Sequence, residues 1–217
     1  MSFFPTSRST PHVSLFLIAL SLILGVQEGS AQDAEVRGPE PAEYGVGIGI
    51  SPFAFSVNVS RHFDAQTSLQ CVVGGMPESD YPVGLTLDGV DYAVRGELSF
   101  VGFFINHRPF ASADWFRVSA GFVVGSTRNT VVNPVTLATY SADYTENPQG
   151  YFGVGFGYKV TRGFQLGCDL GWLQSAGPAW SIDAPGADGA ADFQAVAGAG
   201  FFPTVLPNTS VSIGYGF

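Results

Sequence analysis

The chain has 217 residues, with 28 Gly, 19 Phe and 8 Tyr, only 12% charged residues and a net charge of −9. Soluble domains carry about 25% charged residues, so this composition is poor for a soluble surface, and the acidic balance excludes nucleic acid as a partner. No stretch beyond residue 31 is apolar over the ~20 residues of a spanning helix, so membrane insertion of the remainder has to use strands.

Residues 1–12 carry Arg8 and His12 without an acid, Val13 to Val26 is almost wholly apolar, and Gly29-Ser30-Ala31 is small throughout. This is the pattern of a secretory signal peptide, with cleavage expected after Ala31. Roughly 14 apolar residues fall short of a spanning anchor, and no lipobox cysteine follows. Cleavage removes Arg8 and Glu28, leaving 8 basic and 17 acidic residues, so the net charge stays at −9. Residues 32–43, polar and containing Pro39 and Pro41, read as a disordered leader before a barrel over 44–217.

Eight strands are expected: 44–50, 53–60, 67–74, 90–104, 115–126, 150–159, 164–173 and 208–217. Their signature is strict alternation, clearest in Tyr44-Gly45-Val46-Gly47-Ile48-Gly49-Ile50, Phe152-Gly153-Val154-Gly155-Phe156-Gly157-Tyr158 and Val211-Ser212-Ile213-Gly214-Tyr215-Gly216-Phe217. Alternate side chains leave opposite faces of a strand, so each has one apolar face and one nearly bare face. An even strand count places both ends on one side. Segments 61–66, 105–114 and 160–163 then become short inner turns, and 75–89, 127–149 and 174–207 long outer loops, as in outer-membrane barrels. Ser51-Pro52 is tight for a connection, so 44–60 could instead be one bulged strand, with the eighth drawn from 130–142 or 192–202. Residues 191–202 could equally form a helix.

The residues opposite the apolar set decide which face meets lipid. They are chiefly glycines, which make no soluble surface but suit a narrow lumen. The expected fold is thus an all-β, transmembrane, antiparallel up-and-down barrel of eight strands. Arg95, Glu97, Arg117 and Asp169, with Asp91, lie opposite the faces read as apolar. Arg95, Glu97, Arg117 and Asp169 form the candidate luminal network, since charges in a narrow interior have to pair. It reads as a structural plug, or as a gate in a small pore. Tyr44, Phe116, Tyr158, Phe164, Tyr215 and Phe217 at the inner ends, and Tyr92, Tyr151, Phe152 and Trp172 near the outer ends, are expected to form aromatic girdles. Cys71 and Cys168 share faces with Leu69, Val73, Leu166 and Leu170 and read as apolar, lipid-facing residues rather than a disulfide.

Chemistry is sparse. His62 and His107 are the histidines beyond the leader, and both map to inner turns. The glycine runs lack the helix and Lys-Ser/Thr pair of a phosphate loop, and no His/Cys cluster has metal-ligand spacing. No catalytic residue, metal or cofactor is expected. The outer loops hold Glu78, Asp80, Asp88, Asp143, Glu146, Asp183, Asp188 and Asp192 against Arg128; weak calcium binding is conceivable, but solvated loops are the preferred reading.

The alternation, the size and the Tyr215-Gly216-Phe217 ending resemble the small outer-membrane barrels of the OmpA, OmpX and OmpW type. Asn106-His107-Arg108-Pro109-Phe110 followed by Phe116-Arg117-Val118-Ser119-Ala120-Gly121 is similar to a stretch of a proteobacterial outer-membrane family, a likeness that implies a location and a fold but no activity. The resemblance implies lipid and lipopolysaccharide as surroundings, and a barrel-assembly machinery that reads Tyr215 and Phe217. The functions in view are a structural barrel or narrow solute passage, then a surface-loop binding or adhesion protein, then a lipid-modifying barrel.

Overall fold

The computed structural model describes residues 40–217 apart from 53, 82–83, 145–147, 158, 184–187 and 201, and without the side chains of 188–191. The expected signal peptide, residues 32–39 of the leader, Tyr158, Glu146 and the Asp188 carboxylate lie outside the described residues. The strands among the described residues are β1 (Tyr44–Ser51), β2 (Ala54–His62), β3 (Thr67–Asp80), β4 (Leu85–Leu87), β5 (Val90–His107), β6 (Phe116–Val132), β7 (Thr139–Asp143), β8 (Gln149–Phe156), β9 (Gly163–Gln174), β10 (Ala179–Asp183) and β11 (Val205–Gly216), with a 3-10 turn at Ala111–Ala113 and an α-helix, α1 (Asp188–Gly198), before the last strand.

All pairings are antiparallel. They run β6–β8–β9–β11–β1–β2–β3–β5 and return from β5 to β6, so these eight strands close a ring. Closure removes the exposed edges of an open sheet. Ser51 and Ala54 pair directly, and the Ala54 amide donates to Ser51 Oγ at 3.0 Å. Residues 44–62 are therefore a tight hairpin, not one bulged strand. At the other end the termini lock together: the Phe217 amide donates to the Tyr44 carbonyl at 2.9 Å, and the Glu43 and Tyr44 amides both donate to the Phe217 carbonyl at 3.0 Å.

The leader needs a correction in its last residues. The Ala42 amide donates to the Val160 carbonyl at 3.3 Å, the Arg162 amide donates to the Glu40 carbonyl at 3.0 Å, and the Arg162 and Glu40 side chains pair at 3.1 Å. Backbone groups left free by the β8–β9 turn and by the C-terminus hold residues 40–43 in place, which a reading of their polar composition misses.

Alternation decides what each face meets. Val46, Ile48, Phe55, Val57, Phe122, Val124, Leu166, Ile213 and Tyr215 stand exposed on the outer wall. Their register neighbours on the inner face are small or polar, such as Asn58, Ser60, Ser119 and Ser212, and buried. Cys71 and Cys168 are free. Both have the outward parity, although Cys71 is covered between its register partners Val59 and Phe103.

β5 and β6 run on past the ring at the end opposite the termini. There β4 pairs with β5, β7 with β6 and β10 with β7. This crown has its own core of Leu85, Tyr92, Val94, Val131, Ala138, Tyr140 and Val196, with Trp180 and Phe193 packed against it. Asp192 of α1 accepts from Asn133 Nδ2 at 2.7 Å and from the Tyr140 hydroxyl at 3.4 Å, so the helix is bonded to the β6–β7 hairpin rather than hanging in a loose loop.

Candidate functional site in the barrel lumen

The inner end of the lumen holds an ion pair that glycine makes possible. Arg117 on β6, Gly155 on β8 and Asp169 on β9 are register partners in a row. Because Gly155 has no side chain, Arg117 lies across β8, and its Nη2 donates to both Asp169 oxygens at 2.6 and 2.7 Å. A Cβ at position 155 would meet Asp169 Oδ1, and Arg117 Nε at 2.5 Å. The side chains are only 6% and 16% exposed. Two short charge-assisted bonds offset much of the desolvation such a pair suffers.

Around it lies a polar layer. Ser119 Oγ donates to Asn106 Oδ1 at 2.6 Å, Asn106 Nδ2 donates to Gln70 Oε1 at 3.3 Å, and Gln165 Nε2 donates to the Thr161 carbonyl at 2.7 Å. His62 is buried with its Nε2 3.5 Å from Ser60 Oγ. Arg108, in the turn after β5, is 2% exposed. Burial, with the charge of Arg117 adding to it, pushes the Arg108 guanidinium down to about 10. Arg108 was within reach of sequence reasoning: the parity of β5, carried two residues past its inward Asn106, turns Arg108 inward.

Above this floor the lumen holds a cavity of about 530 Å³, within the ordinary range of small-molecule sites. Asn58, Gln70, Asn106, Ser119 and Asp169 line its inner end, while Val72, Leu98, Phe100, Phe104, Val123 and Leu206 make much of the rest apolar. Tyr151 enters the lumen, packs edge-on against Phe104 at 5.0 Å, and lies over Gly153 and Gly171, where a Cβ would strike its ring or hydroxyl. At the outer mouth the Tyr81 hydroxyl donates to Asn129 at 2.9 Å and the Tyr144 hydroxyl to the Pro203 carbonyl at 3.2 Å.

Of the four expected luminal charges, the structure brings Arg117 and Asp169 together and leaves Arg95 and Glu97 out. Arg95 is exposed on the outer face of the crown, bonded to Asp80 at 3.0 Å with Glu78 at 4.0 Å. Glu97 is exposed beside its register partner Arg128, which pairs with Asp143 at 3.1 Å. The reason is that β5 is apolar on both faces. Tyr92 and Val94 point inward to the crown's core while Val101 and Ile105 point outward from the wall, so taking Tyr92 and Val94 as the lipid face inverts Arg95 and Glu97. The same inversion moves Tyr92 off the outer girdle; Tyr151 leaves it for a different reason, since it has the inward parity of β8 and lines the cavity, and Phe152 and its register partner Trp172 remain.

The inner girdle contains Tyr44, Phe116, Phe164, Tyr215 and Phe217, with Phe110, Trp115 and Phe156 added. Tyr215 and Phe217 are both 46% exposed, and their rings pack on Phe164 at 5.5 Å and Tyr44 at 6.1 Å. His107 is exposed, with Nδ1 3.3 Å from Thr67 Oγ1. Among the described residues no group of three or more His, Cys, Asp or Glu is placed to hold a metal ion.

No family model matches the sequence, and no curated protein matches it. Solved structures match its fold. CarO of Acinetobacter baumannii superposes with a TM-score of 0.57 at 15% identity, over 82% of this chain and 98% of that one. CarO2 of the same organism gives 0.59 at 15% identity, over 83% and 100%. The chain has the fold of an outer-membrane β-barrel. At this identity the likeness is one of architecture, and the lumen has to be read from its own residues.

Proposed function

We propose that the protein is an integral outer-membrane barrel, exported by a cleavable signal peptide, whose lumen is a small-solute vestibule closed at its periplasmic end by the Arg117–Asp169 plug. The single observation that carries this reading is the cavity of about 530 Å³ standing directly on the buried ion pair. The wall supports membrane placement: its apolar outer band is girdled by aromatic rings, and every charge on the outer face of β5 and β6 sits in the crown or at the inner end. An ion pair is a fitting closure because its two halves are mutually compensated in place and carry opposite charges when separated, so breaking it leaves a polar constriction rather than a greasy one. The reading assigns no catalytic group, metal or cofactor.

The test is single-channel conductance of the refolded protein in planar bilayers, beside an Arg117→Ala/Asp169→Ala variant. Steady conductance that rises in the variant is the expected result. Silence in both, with heat-modifiable migration reporting a folded barrel, leaves a purely structural barrel. A second reading, binding through the outer surface, is favoured by one observation: Val135 and Leu137 at the β6–β7 tip are 76% and 71% exposed on an ordered crown. Loss of surface attachment in Val135→Ser/Leu137→Ser would identify it.

A further inference from the structure

The wall of the barrel is not equally tall all round. β1 and β2 end at the Ser51–Ala54 hairpin, where β1 pairs with β11 only as far as Val211 and β2 pairs with β3 from Gly75 downward. β11 continues outward through Val205–Ser210, paired with β9 on one side only, and β3 continues through Met76–Asp80, paired with β5 on one side only. Among the described strands none lies between them. Six residues of β11 correspond to about 20 Å of strand at ~3.3 Å per residue, so the gap is deep.

The sequence treats both sides as edges. Pro207 sits in the upper part of β11, and Pro77 in the upper part of β3 where its pairing with β5 shifts register between Met76 and Ser79; proline is confined in sheets to edges and bulges because it cannot donate to a neighbour. Pro52 caps the hairpin beneath. The cavity itself reports that the gap passes through the wall. Pro207 has outward parity, shared with Val205, Val211 and Ile213, and is exposed, yet it lines the cavity together with Pro52 and the inward-facing Leu206 and Asn208. Beside and below the gap the outer face is the apolar wall, with Ile50 53%, Phe55 65% and Val211 48% exposed.

We infer that this notch is a lateral doorway through which an uncharged single-chain amphiphile passes between the outer leaflet and the lumen. The chemistry of the two ends of the cavity sets the ligand class. The apolar stretch around Val72, Phe100 and Leu206 accepts an alkyl chain. The amide and hydroxyl groups of Asn58, Gln70, Asn106 and Ser119 accept a neutral polar end. The carboxylate at that end, Asp169, is already held by Arg117, which leaves no call for a charged headgroup. The inference rests on the membrane placement proposed above and gives the vestibule a substrate class and a route.

The experiment is photolabelling of the refolded full-length mature chain in phosphatidylcholine vesicles with a diazirine-bearing long-chain alcohol, mapped by peptide mass spectrometry. Expected are labels on the outer wall, at Phe55 and Ile213, and in the lumen, at Phe100 and Leu206. In Asn208→Trp, and independently in Ala54→Trp at the hairpin beneath the gap, luminal labelling falls at least tenfold while outer-wall labelling and heat-modifiable migration persist. Outer-wall labels alone in the parent protein overturn the doorway and leave the membrane placement intact. Luminal labelling that survives both folded variants also overturns it, since access is then from the aqueous mouth. Absence of label from the outer wall sinks the membrane placement and the doorway with it.

Discussion

The ring and the crown are built from the same two long strands, β5 and β6, yet they are inside-out with respect to each other. Toward the inner end of the ring the inward positions Ser119, Gly121 and Asn106 are small or polar, with the luminal Phe104 and Phe100 above them, and the outward Phe122, Val124 and Ile105 are apolar. One or two turns of the pleat further on, the inward positions Val94, Val131 and Tyr92 are apolar, and the outward Arg95, Glu97 and Arg128 are charged. Backbone parity does not change along either strand. On the membrane placement proposed above, what changes is the surrounding medium: hydrocarbon takes the outer face of the ring, whereas water takes the outer face of the crown and the apolar side chains turn to one another. A charged outward residue thus marks where lipid ends.

Breaking the ring from inside should have the largest effect. Arg117→Ala leaves Asp169 buried without its partner, and a loss of about 3–5 kcal/mol is expected from such half-removed pairs, read by urea unfolding in vesicles. Arg117→Met/Asp169→Leu, which removes both charges, should recover most of it. Breaking the ring from outside comes next. Val124→Arg places a cation on the outer face only four residues before the tolerated Arg128, and should cost about 2–4 kcal/mol if position 124 lies near mid-membrane. A loss close to zero in the same assay would place lipid lower on the wall.

The crown should respond to the opposite changes. Val131→Ala removes buried packing worth ~2 kcal/mol, and hydrogen exchange should show lost protection in β4, β7 and α1 while the ring keeps its own. The crown also has its own pH limit. Burial raises the Tyr140 and Tyr144 hydroxyls from 10 to about 12. The fold thereby favours the neutral phenol, so this contribution is fully present below pH 10 and is lost as pH climbs from 10 toward 12. Near-ultraviolet dichroism should change over that window and not below it. Smallest of all is Arg95→Ala, an exposed pair expected to shift stability by no more than ~0.5 kcal/mol. A change as large as that of Arg117→Ala would return Arg95 to the lumen.

These contrasts also explain what the sequence disclosed. Strands with a single apolar face, such as β1, β8 and β11, are legible in orientation, because the same face is apolar along their whole length. β5 crosses from the ring into the crown, and its two apolar faces look alike in a sequence; Arg95, Glu97 and Tyr92 are misplaced for that one reason. The Arg117–Asp169 pair is legible as two inward charges, but its geometry depends on Gly155, whose contribution is an absence of atoms. The Asp88-Gly89 turn joining β4 to β5, with both residues at positive φ, is a hairpin signal hidden inside a segment read as loop. The 40–43 contacts depend on residues more than a hundred positions away, which no local pattern encodes.

The lock between Tyr44 and Phe217 sets an order of events. β1 has to wait for β11, its partner across nearly the whole sequence, so the ring has one seam of very high contact order, and such seams close slowly. Until β11 is delivered, β1 is paired on its β2 side only and keeps one open edge, free to pair with a neighbouring chain. Truncation by a few C-terminal residues is therefore expected to act less as a loss of stability than as a failure of timing, leaving a sheet whose first strand keeps searching for its last.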